Sequence, residues 1–439
     1  MRVYIQNMVY ILDRMPGGGG LLQIVAKGKQ DVFLTGNPQI SWFKMVYRRY
    51  TNFAVESQPM YFDGTPNFGK KMTCTVPRRG DLLGPIFLEV TLPALTYSDG
   101  SPVQWVNAIG HALIQEVTIE VGEVEIDKQT GEWMEIWSRY TVPDSKEQGF
   151  YNMIGKVDNY NLSPGIGKLY IPLQFWFCRN PGSYLPLLAL QYHQVRINLT
   201  LRPLSDLMIP DPASVNNPSV PCIPPYNTAN NSIDLMLYGN YVYLDTDERR
   251  RFVSKEHEYL IEQVQFTRFA IPATASSVTV PVEFNHPIKE FFWYIQRDDL
   301  VRNNFANNKN TIEWFNYSSL GIYEAGVRTD LFTQATIQFD GFDRFYARDA
   351  GYFRLVEPFL HHTVIPKDSY IYSYALALRP EEAQPSGSAN ASRIDSIVFQ
   401  VTLNTTTNPP RGNSTFITYA INNNVFRVID GFGGLLFTV

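Results

Sequence analysis

Alternating apolar and polar residues recur along the chain at short, regular intervals. Val117, Ile119 and Val121 alternate with Glu116, Thr118 and Glu120. Val195, Ile197, Leu199 and Leu201 do the same, as do Val278, Val280, Val282 and Phe284, and later Ile397, Phe399, Val401 and Leu403. Side chains on a strand point to opposite faces in turn, so this period of two predicts half-buried strands. After Gly122 the apolar phase moves to Val124 and Ile126, which predicts a tight turn or bulge at the glycine. Phe291-Phe-Trp-Tyr-Ile295 is apolar at every position, the pattern of a strand covered on both faces. Turn clusters at Asp99-Gly100, Asn180-Pro-Gly182 and Pro385-Ser-Gly387 separate such runs.

Helical spacing is rarer. Trp133, Ile136, Trp137 and Tyr140 fall on one face of a helix over Gly131–Tyr140, and an aromatic stripe of this kind is expected in a core. Asp245–Phe252 places its acids first and its arginines last, in accord with the helix dipole, with Asp245 or Asp247 as the cap. The Pro-, Asn- and Ser-rich segment Asp211–Asn231 reads as a long excursion loop. A strand over Ile233–Leu244 then returns to the first run of strands, and Tyr259–Phe269 opens a second. The pattern predicts an all-β chain of two sandwiches, each about 180 to 220 residues.

Composition agrees. Hydrophobic residues make up 44% and charged residues only 18% of the 439 positions, enough to fill a sizeable core and too apolar for a disordered chain. Aromatics reach 14%, which favours large buried or interfacial surfaces. Net charge is −5, and this mild acidity argues against a nucleic-acid coat. The charge is uneven: residues 1–90 hold 11 Lys+Arg against 6 Asp+Glu, a net of +5, leaving 26 against 36, a net of −10, on the remainder. The pairs Arg48-Arg49, Lys70-Lys71 and Arg78-Arg79 suit either solvated strand rims, where charge blocks stray pairing, or a surface facing an acidic partner. Met1–Leu12 is apolar but interrupted by Gln6 and Asn7, and too short for a membrane anchor or a secretory signal. Met15 is a candidate start, with residues 1–14 then an upstream extension.

Candidate chemistry is sparse. Cys74, Cys178 and Cys222 are too scattered for a disulfide framework or a four-ligand zinc site, which suits a reducing compartment. His111, His193, His257, His286, His361 and His362 show no ligand spacing, and the adjacent pair would point to opposite faces of a strand. Gly17–Gly20 lacks the Gly-Lys-Ser/Thr of a phosphate loop and reads as a flexible arm. Asp340-Gly-Phe-Asp343 with Asp349 lacks calcium-loop spacing, and no Gly-x-Ser-x-Gly elbow occurs. Asp298-Asp299 offers paired carboxylates, but adjacency does not set the separation a glycosidase needs. No catalytic residue, cofactor or metal is expected. Of seven Asn-x-Ser/Thr triplets, those at Asn316, Asn390, Asn404 and Asn413 are retained as candidate glycosylation sites.

Longer stretches are more specific. Gln30-Asp-Val-Phe-Leu-Thr-Gly-Asn-Pro-Gln39 with Phe43–Phe53, then Gly131–Trp137, Tyr170–Gly182 and Leu190–Arg196, resemble the major capsid proteins of nucleocytoplasmic large DNA viruses, the algal virus and iridovirus group. So do Tyr241–Arg251, His257–Gln263, Phe284–Pro287, Pro380–Gly387 and Ser392–Asp395. The resemblance runs in order from about Gly17 to the end of the chain. It departs at Ala383, where the family pattern has histidine, and at residues 1–14, which have no counterpart.

The resemblance implies two consecutive eight-stranded antiparallel jelly rolls with few short helices. Residues 1–27 would be an arm, 28–247 the first jelly roll, 248–256 a connector and 257–439 the second. It also implies a homotrimer forming a pseudo-hexagonal capsomer, with capsomers tiling an icosahedral virion shell assembled in the host cytoplasm. Expected partners are neighbouring capsomers, minor capsid proteins and an internal membrane on the inner side, with no sequence-specific nucleic-acid binding. The competing readings are a minor capsid paralogue, a jelly-roll carbohydrate-binding or host-attachment protein, and an enzyme of the cupin or glycoside-cleaving sort.

Overall fold

The computed structural model describes residues 18–93, 103–157, 167–210, 233–301, 312–321, 324, 326–367, 369–407 and 412–438. The Asp99-Gly100 turn, the Asp211–Asn231 segment, Cys222 and the triplets at Asn161 and Asn230 lie outside them. The chain divides into two compact units, residues 1–51 and 52–439.

The first unit holds two helices, Gly18–Val25 and Lys29–Thr35. Gly18–Gly20 therefore open a helix, where a flexible arm was expected from the glycines. At a helix start the first N–H groups lack intrahelical partners in any sequence, and the Leu21–Val25 run carries the turn onward. The second helix is fastened by the Gly28 N–H donating to Asp31 Oδ2 at 2.7 Å. Every described residue from 19 to 51 is exposed, including Phe33, Trp42 and Phe43.

The second unit contains two barrels. In the first, one sheet runs β1 (Phe53–Met60), β10 (Asp234–Leu244), β3 (Leu82–Thr91), β7 (Lys168–Pro172). The facing sheet runs β2 (Lys71–Thr75), β8 (Val195–Leu201), β5 (Ile114–Val121), β6 (Val124–Gln129). A small ribbon pairs β4 (Val103–Trp105) with β9 (Met208–Pro210). In the second barrel, β11 (His257–Ile271), β20 (Ser414–Ile429), β13 (Pro287–Arg297) and β17 (Tyr372–Ala375) form one sheet. Its outliers are β18 (Ala389–Asn390), beside β13, and β21 (Phe432–Leu435), beside β20. The facing sheet is β12 (Ser277–Val282), β19 (Ile397–Leu403), β14 (Phe332–Phe339), with β15 (Phe342–Asp343) and β16 (Arg348–Asp349) both beside β14. All these pairs are antiparallel.

Counting β15 and β16 as one strand, each barrel has eight principal strands. In both, one sheet runs first-eighth-third-sixth and the other second-seventh-fourth-fifth. That order is the jelly roll, and the chain contains it twice. Among the described residues no strand pair crosses from one barrel to the other, and the Thr246–Ser254 helix lies between them. Asp245 caps that helix, accepting from the Thr246 N–H at 2.7 Å.

The alternating runs behave as their pattern requires. Val117, Ile119 and Val121 of β5, and Ile397, Phe399, Val401 and Leu403 of β19, are buried within their barrels. The β5–β6 turn is Gly122-Glu123, with φ of +60° and +69°. A Cβ at Gly122 would stand 2.4 Å from the His193 ring, so this turn needs glycine for space as well as backbone angle.

Candidate functional site

The feature that sets this chain apart from two tethered barrels is the seam between them. It is built from β13, the run apolar on both faces. Phe291, Trp293 and Ile295 point into the core of the second barrel, whereas Phe292 and Tyr294 point out of it and join the core of the first. On the neighbouring β20, Phe416 and Ala420 face inward, and Ile417, Tyr419 and Ile421 face the seam. Phe292 and Tyr419 stand opposite each other in the register.

The first barrel answers with a helix inserted between its fifth and sixth strands. The Gly131–Thr141 helix starts at Thr130, whose hydroxyl accepts from the Trp133 N–H. Its aromatic stripe covers the second barrel: Trp133 lies 5.6 Å from Phe292 and 5.5 Å from Tyr419, and Tyr140 lies 5.1 Å from Phe292, all between ring centroids. Most are edge-on or tilted contacts, the arrangement ring quadrupoles favour. Polar groups fix the register of the packing. The Thr130 and Tyr419 hydroxyls share a hydrogen bond of 2.7 Å, the Tyr140 hydroxyl donates to the Ile371 carbonyl at 3.2 Å, and the Val364 N–H donates to the Tyr140 carbonyl at 3.1 Å.

Along the rest of the seam, Asp127 Oδ1 accepts from the Val264 N–H at 3.1 Å, and Gln263 donates to the Ile126 carbonyl. Burial pushes the Asp127 carboxyl up to about 6. Arg179 donates to Glu262 at 2.8 Å. The Arg202 guanidinium lies 3.9 Å from the centroid of the Trp314 ring and donates to Glu132 at 2.6 Å, while Trp314 donates to the Asp206 carbonyl at 2.8 Å. Tyr192 stacks on Phe432 at 5.0 Å, and its N–H donates to the Gly431 carbonyl. Aromatic packing and paired polar groups thus join the two barrels along a continuous buried seam.

The titratable groups are absorbed by the same structure. His111 and the buried Glu135 are 2.7 Å apart. Burial works to raise Glu135, but Lys156, Arg139 and His111 outweigh it and hold the carboxyl well below the usual range. His361 and His362 occupy the end of the short Glu357–His361 helix and its cap, not a strand as expected, yet they still diverge. His361 Nδ1 lies 3.0 Å from the Leu378 carbonyl, while His362 is buried between Glu290 at 2.5 Å and Glu381 at 2.9 Å. Burial would depress His362, but the two carboxylates raise it to about 9. Asp298 accepts from Thr415, and Asp299 forms a bidentate pair with the buried Arg297, so the paired carboxylates are engaged. Burial pushes the Cys74 and Cys178 thiols up to about 12, leaving them inert. Among the described residues, no group of three or more His, Cys, Asp or Glu is placed to hold a metal ion.

The glycosylation candidates separate. Asn316 is buried: its amide donates to Glu313 and to the Leu320 carbonyl, and its oxygen accepts from Ser318. A glycan on Nδ2 would take one of the two donor hydrogens these bonds use and needs room that the buried position lacks, so Asn316 is withdrawn as a site. Asn390 and Asn413 are exposed, and Asn404 is half-buried with its amide donating to the Asp330 carbonyl.

The major capsid protein N-terminus family matches residues 41–245, and the large eukaryotic DNA virus major capsid protein family matches residues 248–434. The major capsid protein of Pyramimonas orientalis virus is 38% identical over 96% of this chain and all of its own. The chain belongs to the major capsid protein family of large eukaryotic DNA viruses. The major capsid protein of Paramecium bursaria Chlorella virus 1 is 34% identical, covering 95% of this chain and 99% of its own. A quasi-atomic model of that virus's capsid superposes with a TM-score of 0.73 at 28% identity, covering 91% of this chain and 100% of its own. The Faustovirus major capsid protein, at 13% identity, shares the fold with a TM-score of 0.71 over 92% of this chain and 94% of its own. As a member of this family the chain is a structural component of a virion and not an enzyme.

Proposed function

We propose that three copies of this capsid protein close into a pseudo-hexagonal capsomer, and that such capsomers tile an icosahedral shell. The observation carrying this reading is the repeated strand order together with the seam. One chain presents two barrels of like shape locked in fixed relation, so three chains offer six near-equal sides, and a closed ring needs no further symmetry. The two tiles meet at the Thr246–Ser254 helix, the first barrel running from Phe53 to Leu244, where residues 28–247 were expected, and the second from His257, with residues 1–27 as an arm belonging to the separate N-terminal unit, residues 1–51. The exposed apolar residues and net positive charge of the N-terminal region suit it to minor capsid proteins or to an anionic internal membrane surface. Asn390 and Asn413 are the positions open to glycans, Asn404 becoming one only once its amide leaves the Asp330 carbonyl, and assembly takes place in the host cytoplasm. Deleting residues 1–27 tests the arm: particles should fail to form or lose their inner partners, and normal particles would refute its role.

A further inference from the structure

The interface that closes the ring follows from the seam. In the first barrel, the insertion between the fifth and sixth strands supplies the Gly131–Thr141 helix that covers the outer face of the second barrel's first-eighth-third-sixth sheet. The second barrel carries a helical insertion in the same crossover, Tyr352–Val356 continued by Glu357–His361. Its inner side, Phe353 and Glu357, is buried, yet Leu355, Val356, Phe359 and Leu360 are exposed on the opposite side, Phe359 by 72%. Spacings of one, four and five residues place these four on one face. A π-turn leads into this helix, a local irregularity often kept at functional positions.

The matching acceptor is only half-covered. On the outer face of the first barrel's first-eighth-third-sixth sheet, Phe87 of β3 stands opposite Tyr238 of β10, with Tyr170 of β7 beside them. This repeats the Phe292–Tyr419 pair of the second barrel, phenylalanine on the third strand and tyrosine on the eighth. Phe292 and Tyr419 are wholly buried beneath a helix, whereas Phe87 and Tyr238 are only half-buried. Each chain thus has one helix-on-sheet contact made and one unmade half of each kind.

We propose that the Tyr352–His361 helical segment of one copy docks on the Phe87–Tyr238 face of a second copy, repeating between chains the contact that joins the barrels within a chain. The inference rests on the ring-forming reading above and assigns its residues. The contact is head-to-tail, so successive copies continue the same rotation until the ring closes.

The test uses the purified full chain and three single variants, Phe359→Asp, Tyr238→Asp and, as a control, Phe342→Asp. Phe342 is 79% exposed but lies on the other sheet of the second barrel. Sedimentation should show a trimer for the parent and the control. Phe359→Asp and Tyr238→Asp should associate at least about 30-fold more weakly, since buried aromatics at interface centres carry most of the binding energy. Trimers persisting in both variants would overturn the docking assignment while leaving the ring-forming reading intact. A monomeric parent would overturn both. Should a variant misfold, amide exchange on the parent at low and high concentration decides: protection must rise on assembly at residues 352–361 and across β3 and β10, and a rise confined elsewhere overturns the assignment.

Discussion

Phe291 and Phe292 are adjacent on one strand and serve different cores, and this makes the seam open to a direct thermodynamic test. Phe292 is fully buried and lies within 5.1 to 6.5 Å of Tyr140, Trp133, His362 and Trp137. Phe292→Ala removes the ring on which the Gly131–Thr141 helix rests. A phenylalanine truncated in a core costs about 3 to 5 kcal/mol, and here nearly all of that falls on the coupling between barrels. Phe291→Ala costs about the same, but it empties the second barrel's own core beside Phe399 and Phe284. Scanning calorimetry separates the two. The parent should unfold in one coupled transition. Phe292→Ala should split it into two transitions, with earlier proteolytic cleavage near the Thr246–Ser254 helix. Phe291→Ala should lower the second barrel's midpoint without exposing that helix at native temperature. If Phe292→Ala costs less than about 1 kcal/mol and leaves a single transition, the rigid-seam reasoning is wrong.

Other outcomes are expected on the same grounds. His362 has its pKa raised to about 9 in the fold, so its stabilising effect is complete below an unfolded value of about 6.5 and is lost as pH rises through 9. Thermal midpoints should fall as pH rises from about 6.5 to 9, by an amount equivalent to at most about 3 kcal/mol, and His362→Gln should flatten that slope. Asp127 titrates in the opposite region: with its carboxyl raised to about 6, its contribution is present below about 3.9 and lost as pH rises through 6, and Asp127→Asn should remove that dependence from the unfolding midpoint. Arg297, buried between Asp299 and Glu324, should cost about 3 to 5 kcal/mol in chemical denaturation when replaced by methionine, because two carboxylates lose their partner. Peptide mapping of protein from the native host should find Asn316 unmodified, and any glycan at Asn390, Asn404 or Asn413.

Much of this architecture was legible in the sequence because strand alternation is local. The runs in β5, β8, β12 and β19 announce one buried face each, and the unbroken Phe291–Ile295 run announces two. The Asp245 cap and the Trp133–Tyr140 stripe were equally readable. What could not be read is which surface each element meets. Nothing in the spacing of Trp133 says that its partner is Phe292, some 160 residues later, since a contact between barrels leaves no periodic trace. Asn316 carries an acceptor triplet, and only its placement among Glu313, Ser318 and Leu320 shows it to be sealed. Leu355, Val356, Phe359 and Leu360 are interleaved with buried Phe353, Glu357 and Pro358, so their pattern hides an outward apolar face.

The most direct measurement is the mass and outline of the purified chain under native conditions, by native mass spectrometry and single-particle imaging. Three copies of a 50.2 kDa chain should give about 151 kDa and a hexagonal outline with threefold symmetry. A stable 50.2 kDa monomer, or particles in which the two barrels take variable relative positions, would contradict the reading of this chain as a rigid double tile.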